Sequence, residues 1–193
     1  MAAPIVLASS SRFRRELLGR LRLAFEAVAP HVDETPLPNE TPEKLARRLA
    51  VAKAQAVASS RPTALIIGSD QVAAYDGTIV GKPQDHADAV KQLRAASGRK
   101  VVLYTGLALI NSATGRIQSD VVPFGVRFRR LTDAQIENYL RREQPYDCTG
   151  SVKSEGLGIA LLERFEGDDP NALIGLPLIR LVRMLEAEGV AVV

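Results

Sequence analysis

The chain has 193 residues, of which 46% are hydrophobic and 24% charged, with a formal net charge of +3. This balance excludes a disordered chain and lacks the strong basic bias of a dedicated nucleic-acid binder. A single cysteine, Cys148, and two histidines, His31 and His86, exclude an internal disulfide framework and leave little for a metal site built on Cys or His.

Residues 4–8 (PIVLA) form a short apolar run that ends in Ser9, Ser10 and Ser11, and an arginine-rich helical pattern follows. The segment predicts a buried strand, a serine-capped turn and a helix. Residues 25–29 alternate weakly and predict a second strand. Four prolines and the acidic pair Asp33-Glu34 make residues 30–42 a loop. Thr41-Pro42-Glu43 supplies a cap, a first-turn proline and an acid at the positive dipole end of a second helix. TALIIG (63–68) predicts a buried strand that ends near Asp70. Asp76-Gly77 between two short apolar runs predicts a hairpin, with Tyr75 opposite Thr78 and Gln71 opposite Lys82. A helix is expected over 85–96, two long strands within 100–130 separated by a turn at 111–115, and a helix over 132–142. GLGIALLERF predicts one more strand, and a terminal helix starts at Pro177. Helices and strands alternate with long hairpins between them. The expected architecture is a single α/β domain over residues 1–193, with a mixed, partly antiparallel sheet flanked by helices. The longest apolar runs fall well short of the ~20 residues that span a bilayer. The N-terminus lacks a signal-peptide layout, so the expected location is the cytoplasm.

Five segments carry chemistry. Ser9-Ser10-Ser11 followed by Arg12, Arg14 and Arg15 offers hydroxyls, helix-start N–H groups and guanidinium forks to an anion; taken alone, it reads first as a capped helix with a solvated basic face. Asp33-Glu34 could bind a hard cation or orient water, or be ordinary loop acids. Lys53 lies among alanines and either snorkels to water or points into a site that needs one fixed positive charge. Asp70 is an expensive carboxylate unless it is paired or used. Near Lys82 at one end of the hairpin it suits general-base or metal chemistry on a phosphate, or a structural ion pair. Residues 150–156 (GSVKSEG) read as a close-approach binding loop or a plain loop. No Walker A, dinucleotide fingerprint, zinc motif or serine elbow is present.

In this order and spacing, LASSSRFRRELL, VDET, Ala52-Lys53-Ala54, IIGSDQVAAYDGTIVGKP, YTGLAL, SVKSEGLGI and PNALIGLPL resemble the Maf family of nucleoside triphosphate pyrophosphatases over some 170 residues. GSDQV, KSEG and EGDDPNALIGLP are similar to the subgroup acting on 7-methyl-GTP. The resemblance implies a Maf/inosine triphosphatase-like fold and hydrolysis of the α–β phosphoanhydride to a nucleoside monophosphate and pyrophosphate. It implies Asp70 as proton acceptor, Lys53 and Lys82 on phosphate oxygens, and Ser9 and Arg14 on the triphosphate. Glu34, with Asp70, would hold Mg2+ or Mn2+. Phe13, Gln71 and Glu155 would set base specificity. A methylated guanine is a cation that an aromatic face attracts, and a carboxylate can accept from its N1–H and N2–H edge. Two departures stand out. VAKAQ lacks the glutamate that often precedes the lysine, and Phe13 replaces a larger tryptophan.

Two rivals remain. One is the same chemistry on dTTP or UTP. The other is a non-catalytic regulator of cell division that touches nucleic acid through Arg127-Phe128-Arg129-Arg130 and Arg141-Arg142. The expected partners are a nucleoside triphosphate and, by resemblance, a second copy of the chain; membrane is not expected, and the composition argues against nucleic acid.

Overall fold

Strands that are apolar on both faces must be covered on both, and the computed structural model, which describes residues 3–193, shows what covers them. Its elements in chain order are β1 (Ile5–Ala8), α1 (Arg12–Gly19), β2 (Phe25–Val28), α2 (Pro42–Ala58), β3 (Leu65–Tyr75), β4 (Thr78–Val80) and α3 (His86–Ala96). Then come β5 (Lys100–Asn111), β6 (Arg116–Phe128), α4 (Asp133–Glu143), 3-10 turns at Thr149–Ser151 and Leu157–Leu161, β7 (Leu162–Glu166), α5 (Pro170–Ile174) and α6 (Leu178–Glu186). The sheet order is β2-β1-β3-β5-β6-β7, with β4 hydrogen-bonded to β3. β1 runs parallel to β2 and β3, whereas β3–β4 and β6–β7 are antiparallel. This is the mixed α/β sheet expected from the sequence.

The chain divides into two compact units. The first comprises Met1–Gln71, Thr105–Val122 and Asp169–Val193. Strand parity sorts its core into two layers. Ile5, Leu7, Leu65 and Ile67 pack with Leu17 and Leu18 of α1 and Leu181, Met184 and Leu185 of α6. Val6, Ala8 and Ile66 pack instead with Ala50, Ala54 and Val57 of α2. Small residues let α2 lie unusually close to the sheet: a Cβ on Gly68 would overlap the carbonyl oxygen of Ala50, and one on Gly106 that of Ala46. Thr41 caps α2 by accepting from the Lys44 N–H at 3.3 Å, with Pro42 in the first turn.

The second unit comprises Val72–Tyr104 and Pro123–Asp168. Its buried groups include Ala89, Val90 and Leu93 of α3, Ile136, Tyr139 and Leu140 of α4, and Phe124, Val126 and Phe128 of β6. The hairpin register is the expected one, with Tyr75 opposite Thr78 and Ala73 opposite Val80; the ladder then stops because β4 ends at Val80. Asp85 caps α3, and α4 opens on a full capping box of Thr132 and Gln135. Cys148 precedes the first 3-10 turn, and burial pushes its thiol up to about 12.

Three expectations need correction. β3 does not end near Gly68 but continues through Ser69 and Asp70 to Tyr75, so Asp70 sits mid-strand. GLGIALLERF is not one strand: residues 157–161 coil into a 3-10 turn and only Leu162–Glu166 are extended. Gly158 is why, since its missing side chain lets its backbone press on the Lys153 carbonyl, to which its N–H donates at 3.1 Å. α5 is an unforeseen short helix. The Asp169 carboxylate accepts from Asn171 N–H at its start and from Ile179 N–H at the start of α6, which explains a buried acid there.

Residues 153–157 are held from α4. Glu143 accepts from the Leu157 N–H at 2.6 Å and pairs with the Lys153 ammonium at 3.1 Å, while Tyr139 Oη accepts from the Lys153 N–H at 2.9 Å. Burial raises the Tyr139 phenol, so it stays neutral. The Leu157 N–H and then Lys153 hold the Glu143 carboxyl below its ordinary range. A depressed folded-state carboxylate stabilises above the unfolded value and loses that contribution as pH falls through its folded value. Glu143→Gln is therefore expected to lower the unfolding temperature at neutral pH. Its deficit against the parent should shrink as pH drops below about 4.3, the ordinary glutamate value. A pH-independent deficit in thermal melts would contradict this. For the first unit, Gly68→Ala is expected to cost about 3 kcal/mol by overpacking; an unchanged denaturant midpoint would show that α2 can yield.

Candidate active site

The close approach of α2 to β3 brings Lys53 to Asp70. Gly68 and Asp70 point to the same face of β3, the α2 face, because they are two residues apart. Lys53 leaves α2 next to Ala54, a residue that packs against Gly68. Its ammonium lies 2.6 Å from Asp70 Oδ1 and 2.7 Å from Glu34 Oε1. Lys53 and Asp70 are each only 7% exposed. A lone buried charge at either position would be costly; each offsets the other, and Glu34 adds a second anion from the loop.

The loop that presents Glu34 is tied to α2. Arg48 binds Glu40 through two nitrogens at 2.7 and 2.8 Å and donates to the Thr35 carbonyl at 3.1 Å. The Arg48 fork holds the Glu40 carboxyl down at about 2. Asp33, the other half of the acidic pair, instead accepts from the Thr35 N–H at 2.9 Å, and the Thr35 side chain and then this N–H lower its carboxyl. Of the two loop acids, Glu34 is therefore the one that faces Lys53.

Arg14, on the first turns of α1, is half-buried and donates from Nε to the Gly175 carbonyl at 2.9 Å. Burial lowers its pKa, and the charges of Asp70 and Glu34 partly restore it. A positive charge thus stands in the field of both carboxylates. Ser69 Oγ lies within hydrogen-bond distance of the same Gly175 carbonyl and of that of Gly106, and its one hydrogen serves either. Gly175 has φ 121°, a conformation that suits glycine. Ser9 is buried at the end of β1, and its Oγ accepts from the Ser11 N–H at 3.1 Å. Phe13 is half-buried, and the Arg12 guanidinium already lies over its ring, 4.7 Å from the centroid.

Gln71 directs its amide nitrogen at the carbonyls of Ala172 (2.8 Å) and Leu173 (3.1 Å) and at Thr105 Oγ1 (3.1 Å). Thr105 is fully buried and donates to the Ala172 carbonyl at 2.8 Å. Lys82 and Glu155 belong to the second unit. Lys82 is exposed. Glu155 is exposed on the stapled loop and accepts from Ser154 Oγ at 3.3 Å.

The structure thus brings Glu34, Lys53 and Asp70 together, with Arg14 in their field. The sequence linked Asp70 to Lys82 through the hairpin, and the Lys53 partnership was missed. The signal for it was the pairing of small residues on α2 with Gly68. Thr105, Ser69 and the α5 carbonyls were also missed, since nothing local marks them.

Among the described residues, no group of three or more His, Cys, Asp or Glu side chains could hold a metal ion by themselves. Glu34 and Asp70 are nevertheless two hard oxygen donors that meet at the Lys53 ammonium. That set fits Mg2+, which takes one or two carboxylates and completes its shell with water and substrate phosphates. Among the described residues, no helix is long and apolar enough to cross a membrane.

A family profile described as "Maf-like protein" matches residues 4–188. A protein named "7-methyl-GTP pyrophosphatase" from Nitrosococcus oceani is 60% identical over 185 residues, 96% of this chain and 93% of the relative. Proteins of the same name from Methylobacillus flagellatus and Thiobacillus denitrificans are 57% and 60% identical, covering 98% and 97% of this chain and 99% and 94% of theirs. A solved structure titled "Structure of a HAM1 protein from Coxiella burnetii" aligns at a TM-score of 0.49 and 16% identity, over 67% of this chain and 75% of that one. With the family profile spanning nearly its whole length, the chain belongs to the Maf-like protein family.

Proposed function

We propose that this chain is a cytoplasmic nucleoside triphosphate pyrophosphatase that hydrolyses 7-methyl-GTP to 7-methyl-GMP and pyrophosphate. The name shared by its full-length relatives supports the substrate. The observation that carries the chemistry is the buried Lys53 ammonium between Asp70 and Glu34.

In this reading Asp70 takes the proton of the attacking water. Lys53 occupies Oδ1 and leaves Oδ2 for that water. Water adds at the α-phosphorus, the bond to the bridging oxygen breaks, and pyrophosphate leaves with the electron pair. Lys53, Lys82 and Arg14 offset the charge gathering on the phosphate oxygens, with Ser9 at the triphosphate. Glu34 and Asp70 would hold a divalent cation, Mg2+ or Mn2+, whose contribution when bound is to neutralise phosphate charge. Phe13, Gln71 and Glu155 read the base, with Glu155 accepting from the guanine N–H edge.

The nucleic-acid reading is the weaker one. Arg127 pairs with Glu163, Arg129 donates to the Ala160 carbonyl and Arg141 lies beside Glu137, so these arginines are already engaged.

The direct test is pyrophosphate release from 7-methyl-GTP, GTP, dTTP, UTP and CTP, with Mg2+, with Mn2+ and with chelator. The expected result is a metal-dependent preference for 7-methyl-GTP. Preference for UTP or dTTP would overturn the substrate and spare the catalytic assignment, while no release at all would overturn both. Asp70→Asn is expected to lower kcat about 1,000-fold with little loss of nucleotide binding; full turnover would remove Asp70 as the base. Glu155→Gln is expected to reduce the preference for 7-methyl-GTP over UTP about tenfold, and an unaltered ranking would remove it from base recognition.

A further inference from the structure

We propose that Thr105 is a positioning residue for base recognition, fixing the Gln71 amide so that it offers only its carbonyl oxygen to a base N–H donor. The proposal rests on the assignment of Gln71 to base reading made above.

The amide orientation follows from chemistry. Two of the groups around one end of the Gln71 amide, the Ala172 and Leu173 carbonyls, are acceptors only. The nitrogen must therefore face them, because the amide oxygen in its place would meet two like oxygens. The NH2 group has two hydrogens, and three acceptors at 2.8 to 3.1 Å consume both. Nothing is left to donate to a ligand.

Thr105 completes the lock. Its hydroxyl has one hydrogen, which goes to the Ala172 carbonyl at 2.8 Å. Its lone pairs then face Gln71 Nε2 at 3.1 Å. Residue 105 is completely buried, so water cannot substitute for the hydroxyl. Thr105 thus ties Gln71 to α5 and leaves Oε1 as the part of the amide with hydrogen-bonding capacity to spare. A guanine edge offers two adjacent donors, N1–H and N2–H, to such an acceptor, whereas cytosine offers only its N4 amino group and sets the N3 lone pair beside it. The lock therefore discriminates by the sign of the hydrogen bond and takes no part in the phosphate chemistry.

The test is a double-mutant cycle on substrate preference, read as the ratio of kcat/KM for 7-methyl-GTP to that for CTP. Thr105→Val keeps the shape and removes the hydroxyl. It is expected to lower the ratio about tenfold, through KM for 7-methyl-GTP with kcat nearly unchanged. Thr105→Ser should restore the ratio, because it returns the hydroxyl without the methyl group. In a Gln71→Ala background, Thr105→Val should change the ratio no further. Thr105→Ala serves the same purpose if the valine variant does not fold, and thermal unfolding of each variant reports folding. An unchanged ratio in Thr105→Val, or an equal drop with and without Gln71, would overturn the proposal while leaving the role of Gln71 intact. An unchanged ratio in Gln71→Ala alone would overturn the base-reading assignment and this proposal with it.

Discussion

A buried ammonium ion is tolerable only among anions, and the candidate site is organised around one. Lys53 sits on an otherwise apolar face of α2, where its desolvation would be prohibitive without Asp70 at 2.6 Å and Glu34 at 2.7 Å. The same requirement runs in reverse for Asp70, a carboxylate in the middle of a strand between buried Ser69 and half-buried Gln71. Each charge is there because the other is. A phosphate-rich substrate suits such an arrangement, since it brings anionic oxygens to compete for an ammonium already stripped of water.

The geometry depends on how closely a helix can approach a sheet. Ala46, Ala50 and Ala54 on α2 face Gly68 and Gly106 on β3 and β5, with no room for a side chain at either glycine. Bulkier residues on that seam would raise α2 and lengthen the Lys53–Asp70 contact, so core packing sets the site distance. The Arg48–Glu40 fork then orders the proline-rich loop that carries Glu34. α5 adds another fixed frame. Its carbonyls and that of Gly175 accept from Gln71, Thr105, Ser69 and Arg14, so residues assigned to base and phosphate share one support.

Much of the fold was legible because its signals are local. Thr41-Pro42, Asp85 and Thr132 announce helix starts through their own side-chain bonds, and Asp76-Gly77 sets the hairpin register. The strand limits were less legible. β3 runs on past Gly68 through polar Ser69 and Asp70 because both find partners from other parts of the chain, which no window of sequence displays. The break in GLGIALLERF comes from the Lys153 carbonyl pressing on Gly158, a contact within a folded loop. In the site, the residue types were readable and their pairings were not. Lys53 could equally have reached solvent until the small residues beneath α2 were seen to hold it against β3.

Cys148 is the chain's one thiol, and burial places it far above the usual cysteine range, at about 12. At neutral pH the thiolate, the form that attacks disulfides, peroxides and alkylating agents, is therefore disfavoured. The single group through which the chain could cross-link or form a mixed disulfide is thus nearly inert. A thiol-directed oxidant or alkylating agent therefore meets a poor target in the chain's one sulfhydryl.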